Sequence, residues 1–317
     1  MTDETPAPAL PERAKSKTPF IIGGVAAVAA LGIVAALVVP GLVNPAESVA
    51  AGEEDLVTVS IGVTNEADPQ WPILKKLALD EGIKIELVNF TEYPLPNPAL
   101  AAGETDLNSF QHLDYLSNHN IATGDNLQPI GSTVIVPLPL YSEKWDSVDD
   151  IPKGAEIAIP NDPSNQGRAI NVLVSAGLLE LTGEPLIPTP ADIDAAKSRV
   201  TVTPVEASQT PAALQSIDGA IINNNFANDA GIDTSTALYS VDPADPLSWP
   251  YLNVFAARAD DVDNPSYLKI VELWHTKAVE DAVVEASGGT AVIQDLSGTE
   301  LRERLASIEK QKKDAAK

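Results

Sequence analysis

The chain has 317 residues, room for one large domain or two lobes with a sizeable core, plus some further segments. Its 45 acidic residues outnumber 20 basic ones, and the formal net charge of −25 argues against binding nucleic acid or an anionic membrane surface, both of which need basic patches. Cysteine is absent, which excludes disulfides, thiolate zinc sites, thiol nucleophiles and lipid attachment through a cysteine.

The first predicted element is FIIGGVAAVAALGIVAALVV, residues 20–39, uncharged and long enough to cross a bilayer as a helix. Arg13, Lys15 and Lys17 precede it. Positive flanks stay cytoplasmic, so residues 1–19 are expected inside, 20–43 as a transmembrane anchor, and all that follows outside the membrane. A cleaved signal peptide is the competing reading, because Ser48 and Ala50 are small residues at a plausible cleavage spacing. Secretory apolar cores run about 7–15 residues, and the longer run here favours a retained anchor. Residues 44–55, NPAESVAAGEED, have the small, acidic composition of a linker.

From residue 56 the pattern becomes that of a folded α/β chain. LVTVSIGVT alternates like a strand, WPILKKLALDEG reads as a helix stopped at Gly82, and IKIELVNF alternates again, a βαβ unit. PNPALAAGE then reads as a short helix, TDLNSF as a strand end and QHLDYLSNH as a helix, ahead of the apolar STVIVPLPLYS. A second series starts near Asp149, with AEIAIPND a strand, the segment after Pro163 a helix, RVTVTPVE a strand, PAALQSID a helix and GAIINNNFA a strand entering a turn. Such alternation calls for parallel sheets. The chain returns through YLNVFAARA, so two crossings are expected between a first lobe of residues 56–140 and 252–317 and a second of residues 141–251. PSYLKIVELWHTKAVEDAVVEA reads as one helix, TELRERLASIEKQKKDAAK as a charged helix or frayed tail, and no repeat of 20–50 residues is present.

Catalytic motifs are missing. The three histidines, His112, His119 and His275, stand in no metal-ligand spacing, and neither GxSxG nor a glycine-rich phosphate loop occurs. No metal, cofactor or enzymatic activity is expected; the acidic residues are too numerous for any chosen carboxylate pair to be informative, and a cell-envelope hydrolase using acidic residues in a cleft is the alternative from another class.

Four polar clusters do point to a site. In IAIPNDPSNQGRA a strand ends at Pro160, NDPSN supplies turn and capping chemistry, and Arg168 is placed in the first helical turn. An arginine there opposes the helix dipole unless an anion compensates, and the free N–H groups of a helix start attract one. A carboxylate held by a bidentate guanidinium would satisfy all members; an exposed arginine paired with a nearby aspartate is the alternative. In NSFQHLDYL, Phe110, His112 and Tyr115 fall at a strand end and the next helical turn, suited to a small amphipathic ligand. Taken alone, core packing explains such rings more often than binding does, and a cap or a buried hydrogen bond is the more frequent role of a histidine at a helix start. AIINNNFAND sets Asn223, Asn224 and Asn225 just past an apolar strand, where open α/β sheets meet ligands, with turn formation as the alternative. Tyr251 and Asn253 lie at the second crossing.

In this order, FTEYPLPNPALAAGETDLNSFQHLDYL, IAIPNDPSNQGRA, AIINNNFA and PYLNVFAAR resemble the methionine-binding lipoproteins, the substrate-binding proteins of methionine ABC importers, over about residues 56–293. The resemblance implies an α/β, two-lobed periplasmic-binding-protein-like fold of type II with two crossover strands, here behind one N-terminal transmembrane helix. It implies that Arg168 grips a ligand carboxylate and that Asn223 and Asn253 hydrogen-bond the polar groups at the ligand α-carbon. Tyr93, Phe110, His112 and Tyr115 would wall the ligand side chain, Asn165 would hold the loop or the carboxylate, and Asn225 would only shape the turn. The implied ligand is L-methionine or a related amino acid or methionine-containing dipeptide. The implied partners are an ABC permease and ATPase and the membrane, with the protein itself a monomer. Two departures stand out. The lipidated cysteine of the family is missing, its role falling to residues 20–39, and Leu113 and Asp114 stand where the family often has lysine and proline.

Overall fold

The alternating VTVSIGV and IKIELVN form β1 (Val57–Val63) and β2 (Ile83–Asn89), joined by α1 (Gln70–Asp80) and paired in parallel from Val57 with Ile83 to Val63 with Asn89. Edge strand β2 buries alternate residues over its first half, whereas the last three residues of β1 are all buried, as a strand covered on both faces requires. The chain continues through α2 (Pro96–Ala102), β3 (Leu107–His112), α3 (Leu113–Thr123), β4 (Leu127–Ser132) and β5 (Val134–Ile135). A second series follows, β6 (Leu140–Tyr141), β7 (Ala155–Pro160), α4 (Pro163–Ser175), β8 (Val200–Val205), α5 (Thr210–Leu214), β9 (Gly219–Ile221) and α6 (Asn224–Asp229). The chain then returns as β10 (Asn253–Arg258), α7 (Pro265–Trp274), α8 (Lys277–Ala286), β11 (Val292–Ile293) and α9 (Gly298–Ala315). This computed structural model describes residues 56–317. The expected cytoplasmic segment, transmembrane anchor and linker lie outside the described residues, among which no helix is long and apolar enough to cross a membrane.

The result is an α/β fold with two mixed sheets. The first has the order β2-β1-β3-β10-β4, parallel except for β10, which runs antiparallel to β3 and β4. The second has the order β6-β9-β7-β8, with β6 antiparallel to β9, and β5 pairs with β11 in a small ribbon. Leu140, assigned from sequence to the first group of elements, pairs with Ile221 and thus belongs to the second sheet. The chain leaves the first sheet after β4 and re-enters it at β10, whose Asn253 lies opposite His112.

Each sheet carries its own apolar layers. Val59, Ile61, Trp71, Leu74, Phe255, Ile270 and Trp274 form one core of the first sheet, and Leu100, Leu113, Leu116, Val254, Leu301 and Leu305 form the layer that includes α9. Ile157, Ile159, Ile170, Leu173 and Ile221 pack the second sheet against α4. A further cluster joins Tyr93 to Tyr141, Ala158, Ile222 and Phe226, bringing the segment before α2 against the second sheet.

Three local readings are corrected. PSYLKIVELWHTKAVEDAVVEA is two helices, interrupted at His275 and Thr276, where Thr276 is extended (φ −76°, ψ 142°) and the His275 ring lies 3.0 Å from both Glu280 Oε1 and the Ser132 carbonyl oxygen. The asparagines after β9 do not form a simple turn, since Asn223 occupies the N-cap position of α6 and Asn224 and Asn225 are its first two residues. Arg168 lies in the second turn of α4, whose first residue is Pro163. The C-terminal segment is an 18-residue helix that buries Leu301, Leu305 and Ile308 at spacings of four and three, the stripe that docks a helix on a core.

Candidate ligand-binding site

A cavity of about 130 Å³ lies between the two sheets, and its wall includes all eight expected residues, Tyr93, Phe110, His112, Tyr115, Asn165, Arg168, Asn223 and Asn253. One water needs about 10–15 Å³ on this scale, so the space suits a ligand of amino-acid size. Phe110 and His112 share a face of β3 because side chains two apart on a strand do. His112 is also the N-cap of α3, its Nδ1 accepting from the Tyr115 N–H at 3.1 Å, so capping and lining the cavity are one arrangement. Tyr93, Phe110 and Tyr115 form an aromatic wall, with ring centres 5.8–6.0 Å apart, and Phe226 closes on Tyr93 at 4.9 Å. Burial pushes the Tyr93 and Tyr115 phenols well up, so both stay neutral.

The polar side of the cavity is a chain of oriented amides. Asp162, the N-cap of α4, accepts from the Asn165 N–H at 2.9 Å and takes both the Asn165 Nδ2 contacts, at 3.2 and 3.1 Å. Asn165 Oδ1 is thereby turned inward, where it accepts from Asn223 Nδ2 at 3.1 Å and lies 3.4 Å from His112 Nε2. With Nδ1 used as an acceptor, His112 donates from Nε2, and burial followed by the nearby Arg168 charge holds its pKa down at about 4. Asn223 Oδ1 is buried and has no hydrogen-bond partner among the described residues. Asn253 donates from Nδ2 to the Val134 carbonyl oxygen at 3.0 Å.

Arg168 is only 8% exposed. Its Nη2 donates to the Val136 carbonyl oxygen at 2.6 Å, and its guanidinium carbon lies 4.3 Å from the centre of the Tyr251 ring. Burial pulls its pKa to about 10, which still leaves it charged at neutral pH. No carboxylate forms an ion pair with it among the described residues. The expected reason for its placement changes accordingly. Asp162 caps the helix start, and what calls for an anion is a buried guanidinium with donors to spare.

Sequence reasoning missed part of the wall. Asn225 accepts from the Tyr93 hydroxyl and donates to Thr64 Oγ1 at 3.4 Å, tying α6 to the first sheet. After β1, Asn65 and Gln70 both donate amide hydrogens to Asp68 Oδ2, which leaves Asn65 Oδ1 and Gln70 Oε1 buried without partners among the described residues, beside the cavity. Burial raises the Asp68 pKa. The signal was present, because TNEADPQW directly follows the carboxyl end of a parallel strand, where α/β sheets bind ligands.

Residues 59–294 match the NlpA lipoprotein family. The chain is 35% identical over 239 residues to the D-methionine-binding lipoprotein MetQ of Yersinia pestis, covering 74% of this chain and 87% of that protein. In structure it is similar to the substrate-binding protein of a methionine transporter from Streptococcus pneumoniae, with 34% identity and a TM-score of 0.70 over 75% of this chain and 95% of that one. It is also similar to a nutrient-binding protein from Burkholderia cenocepacia bound to methionine, with 31% identity and a TM-score of 0.68 over 74% and 99% of the two chains. The match takes in both sheets and every cavity residue named above, and the chain belongs to the NlpA lipoprotein family.

Proposed function

We propose that this chain is the extracytoplasmic substrate-binding protein of an ABC importer, closing two lobes over methionine and delivering it unchanged to a membrane permease driven by an ATPase. The lobes are those built on the two sheets, residues 56–139 with 252–317 and residues 140–251, with Leu140 moved to the second by its pairing there, in a type II periplasmic-binding arrangement with two crossovers. Residues 20–43 hold the protein in the membrane as a single helix, residues 44–55 act as the tether, and the binding domain works as a monomer.

The observation that carries this reading is the buried Arg168 guanidinium, without a carboxylate partner among the described residues, on the wall of an amino-acid-sized cavity. A ligand carboxylate supplies the missing anion in a charge-assisted, bidentate pair. The ligand ammonium donates to Asn223 Oδ1, which has no other partner among the described residues, with Asn253 alongside. Asn165 fixes the Asn223 amide through its own bond to Asp162. Phe110, Tyr93 and Tyr115 receive the side chain, and a thioether gains about 0.3–1.5 kcal/mol against such rings. The names of the similar proteins support methionine as that side chain. Nothing in this scheme breaks or forms a bond, so the protein acts as a receptor and not as an enzyme.

Calorimetric titration with both enantiomers of methionine, the other common amino acids and short methionine peptides tests the reading. The expected result is one saturable site that prefers methionine, with the ligand recovered intact. Failure of both enantiomers to bind overturns it.

A further inference from the structure

Asp114 joins three elements that are distant in sequence. It lies in the first turn of α3, with its side chain 14% exposed, and its Oδ1 is 2.6 Å from Lys312 Nζ on α9, where the lysine side chain is 8% exposed. Its Oδ2 accepts from the hydroxyl of Ser164, in the first turn of α4. The same ammonium donates to the Asp114 carbonyl oxygen at 3.0 Å, Ser117 Oγ at 2.8 Å and Asn118 Oδ1 at 2.7 Å, so α9 is fastened to the start of α3 by one cation. Leu301, Leu305 and Ile308 hold α9 in place behind it.

This cluster adjoins the ligand site. Asp114, Ser164, Arg168 and Lys312 all line a second cavity of about 110 Å³, and Arg168 also lines the first, so this residue is common to both. Asp114 acts electrostatically on both Arg168 and His112. Asp114 shares the second cavity with Arg168, and Lys312 and Ser164 occupy both of its carboxylate oxygens. Resting on the reading of the cavity as a methionine site, we infer that Lys312 is a positioning residue for ligand binding: it holds the Asp114 carboxylate on Ser164 and off Arg168, keeping the guanidinium for the ligand. The family match ends at residue 294 and α9 begins at Gly298, so this control comes from a segment beyond that match.

Two substitutions separate this role from simple packing. Lys312→Met keeps the buried stem and removes the ammonium, and Asp114→Asn keeps an acceptor for Ser164 and removes the charge. Methionine affinity is measured by calorimetry on the whole chain at neutral pH. Lys312→Met is expected to bind about ten-fold more weakly than the parent, because a buried carboxylate has lost its counter-ion and faces the ligand's own. Asp114→Asn added to Lys312→Met is expected to restore affinity to within about three-fold of the parent, a coupling that damage to α9 packing would not produce. The inference is overturned if Lys312→Met binds as the parent does, or if the double variant is as weak as the single one. If the parent itself binds no methionine, the functional reading falls first and this inference with it.

Discussion

Tyr251 is held between Arg168 and His112, with the guanidinium carbon 4.3 Å from its ring centre and the imidazole centre 5.3 Å away at 83°. The ring covers the guanidinium on one side, the Val136 carbonyl oxygen takes one N–H, and the remaining donors are left for the cavity.

Arg168→Ala is therefore expected to weaken methionine binding by two orders of magnitude or more, about what losing one partner of a buried charge pair implies. Arg168→Lys is expected to recover little of it, since an ammonium neither stacks on Tyr251 nor forms a fork. Tyr251→Leu is expected to cost about ten-fold by removing the cation–π support. Calorimetry on the three variants checks the series, and an unchanged affinity in Arg168→Ala contradicts the role given to it.

His112 has a folded pKa near 4 against its ordinary 6.5, chiefly through burial. The folded protein then binds fewer protons than the unfolded chain between those values, so the stability this residue contributes is full above about pH 6.5 and is lost as pH falls toward 4. Asp68 and Asp162, whose pKa values are raised by burial, act with the opposite sign. Comparison with His112→Gln isolates the histidine, and the variant's stability is expected to fall less steeply over that range. Nitrogen NMR at about pH 5.5 should show a neutral ring protonated on Nε2, and an imidazolium there contradicts the assignment.

Tyr93→Phe removes the hydroxyl that donates to Asn225 across the two sheets while leaving the aromatic wall in place. The loss of one such hydrogen bond is worth about 1 kcal/mol, or roughly five-fold in affinity. It is expected mainly as faster dissociation in stopped-flow measurements, because the bond spans the two halves that enclose the ligand.

Gly62→Ala tests the support beneath β3. A Cβ at Gly62 would stand 2.3 Å from Asn108 Oδ1. Asn108 donates to Asn97 Oδ1 at 3.1 Å, and Asn97 exchanges amide hydrogen bonds with Gln111 at 2.7 and 2.6 Å, a buried network next to Phe110 and His112. Overpacking of this kind costs about 1–3 kcal/mol. Urea unfolding should show that loss, and a variant as stable as the parent contradicts the crowding.

The α/β character and most elements were legible because they rest on local physics. Alternation in VTVSIGV and IKIELVN, the Gly82 stop and the Asp162 cap are properties of a few neighbouring residues, and they led to β1, β2, α1 and the start of α4. The break between α7 and α8 was not legible, since the apolar spacing continues through it and His275 is held by Ser132 from another part of the chain. Nor was the setting of Arg168. Its sequence neighbours suggest a helix start, but its anion requirement comes from burial beneath Tyr251 and beside Val136.

By itself the sequence determined the absence of thiol chemistry, the acidic charge, most of the order of strands and helices, and which side chains were available for a site, because all of these are fixed by composition and short-range pattern. Only the tertiary structure decided that Asp68 takes the Asn65 and Gln70 amide hydrogens and leaves their oxygens buried beside the cavity, that Asn225 reaches Tyr93, and that Lys312 neutralises Asp114. Those contacts join residues brought together by the packing of two sheets and a terminal helix, and a polar group's partners depend on that packing wherever water is excluded.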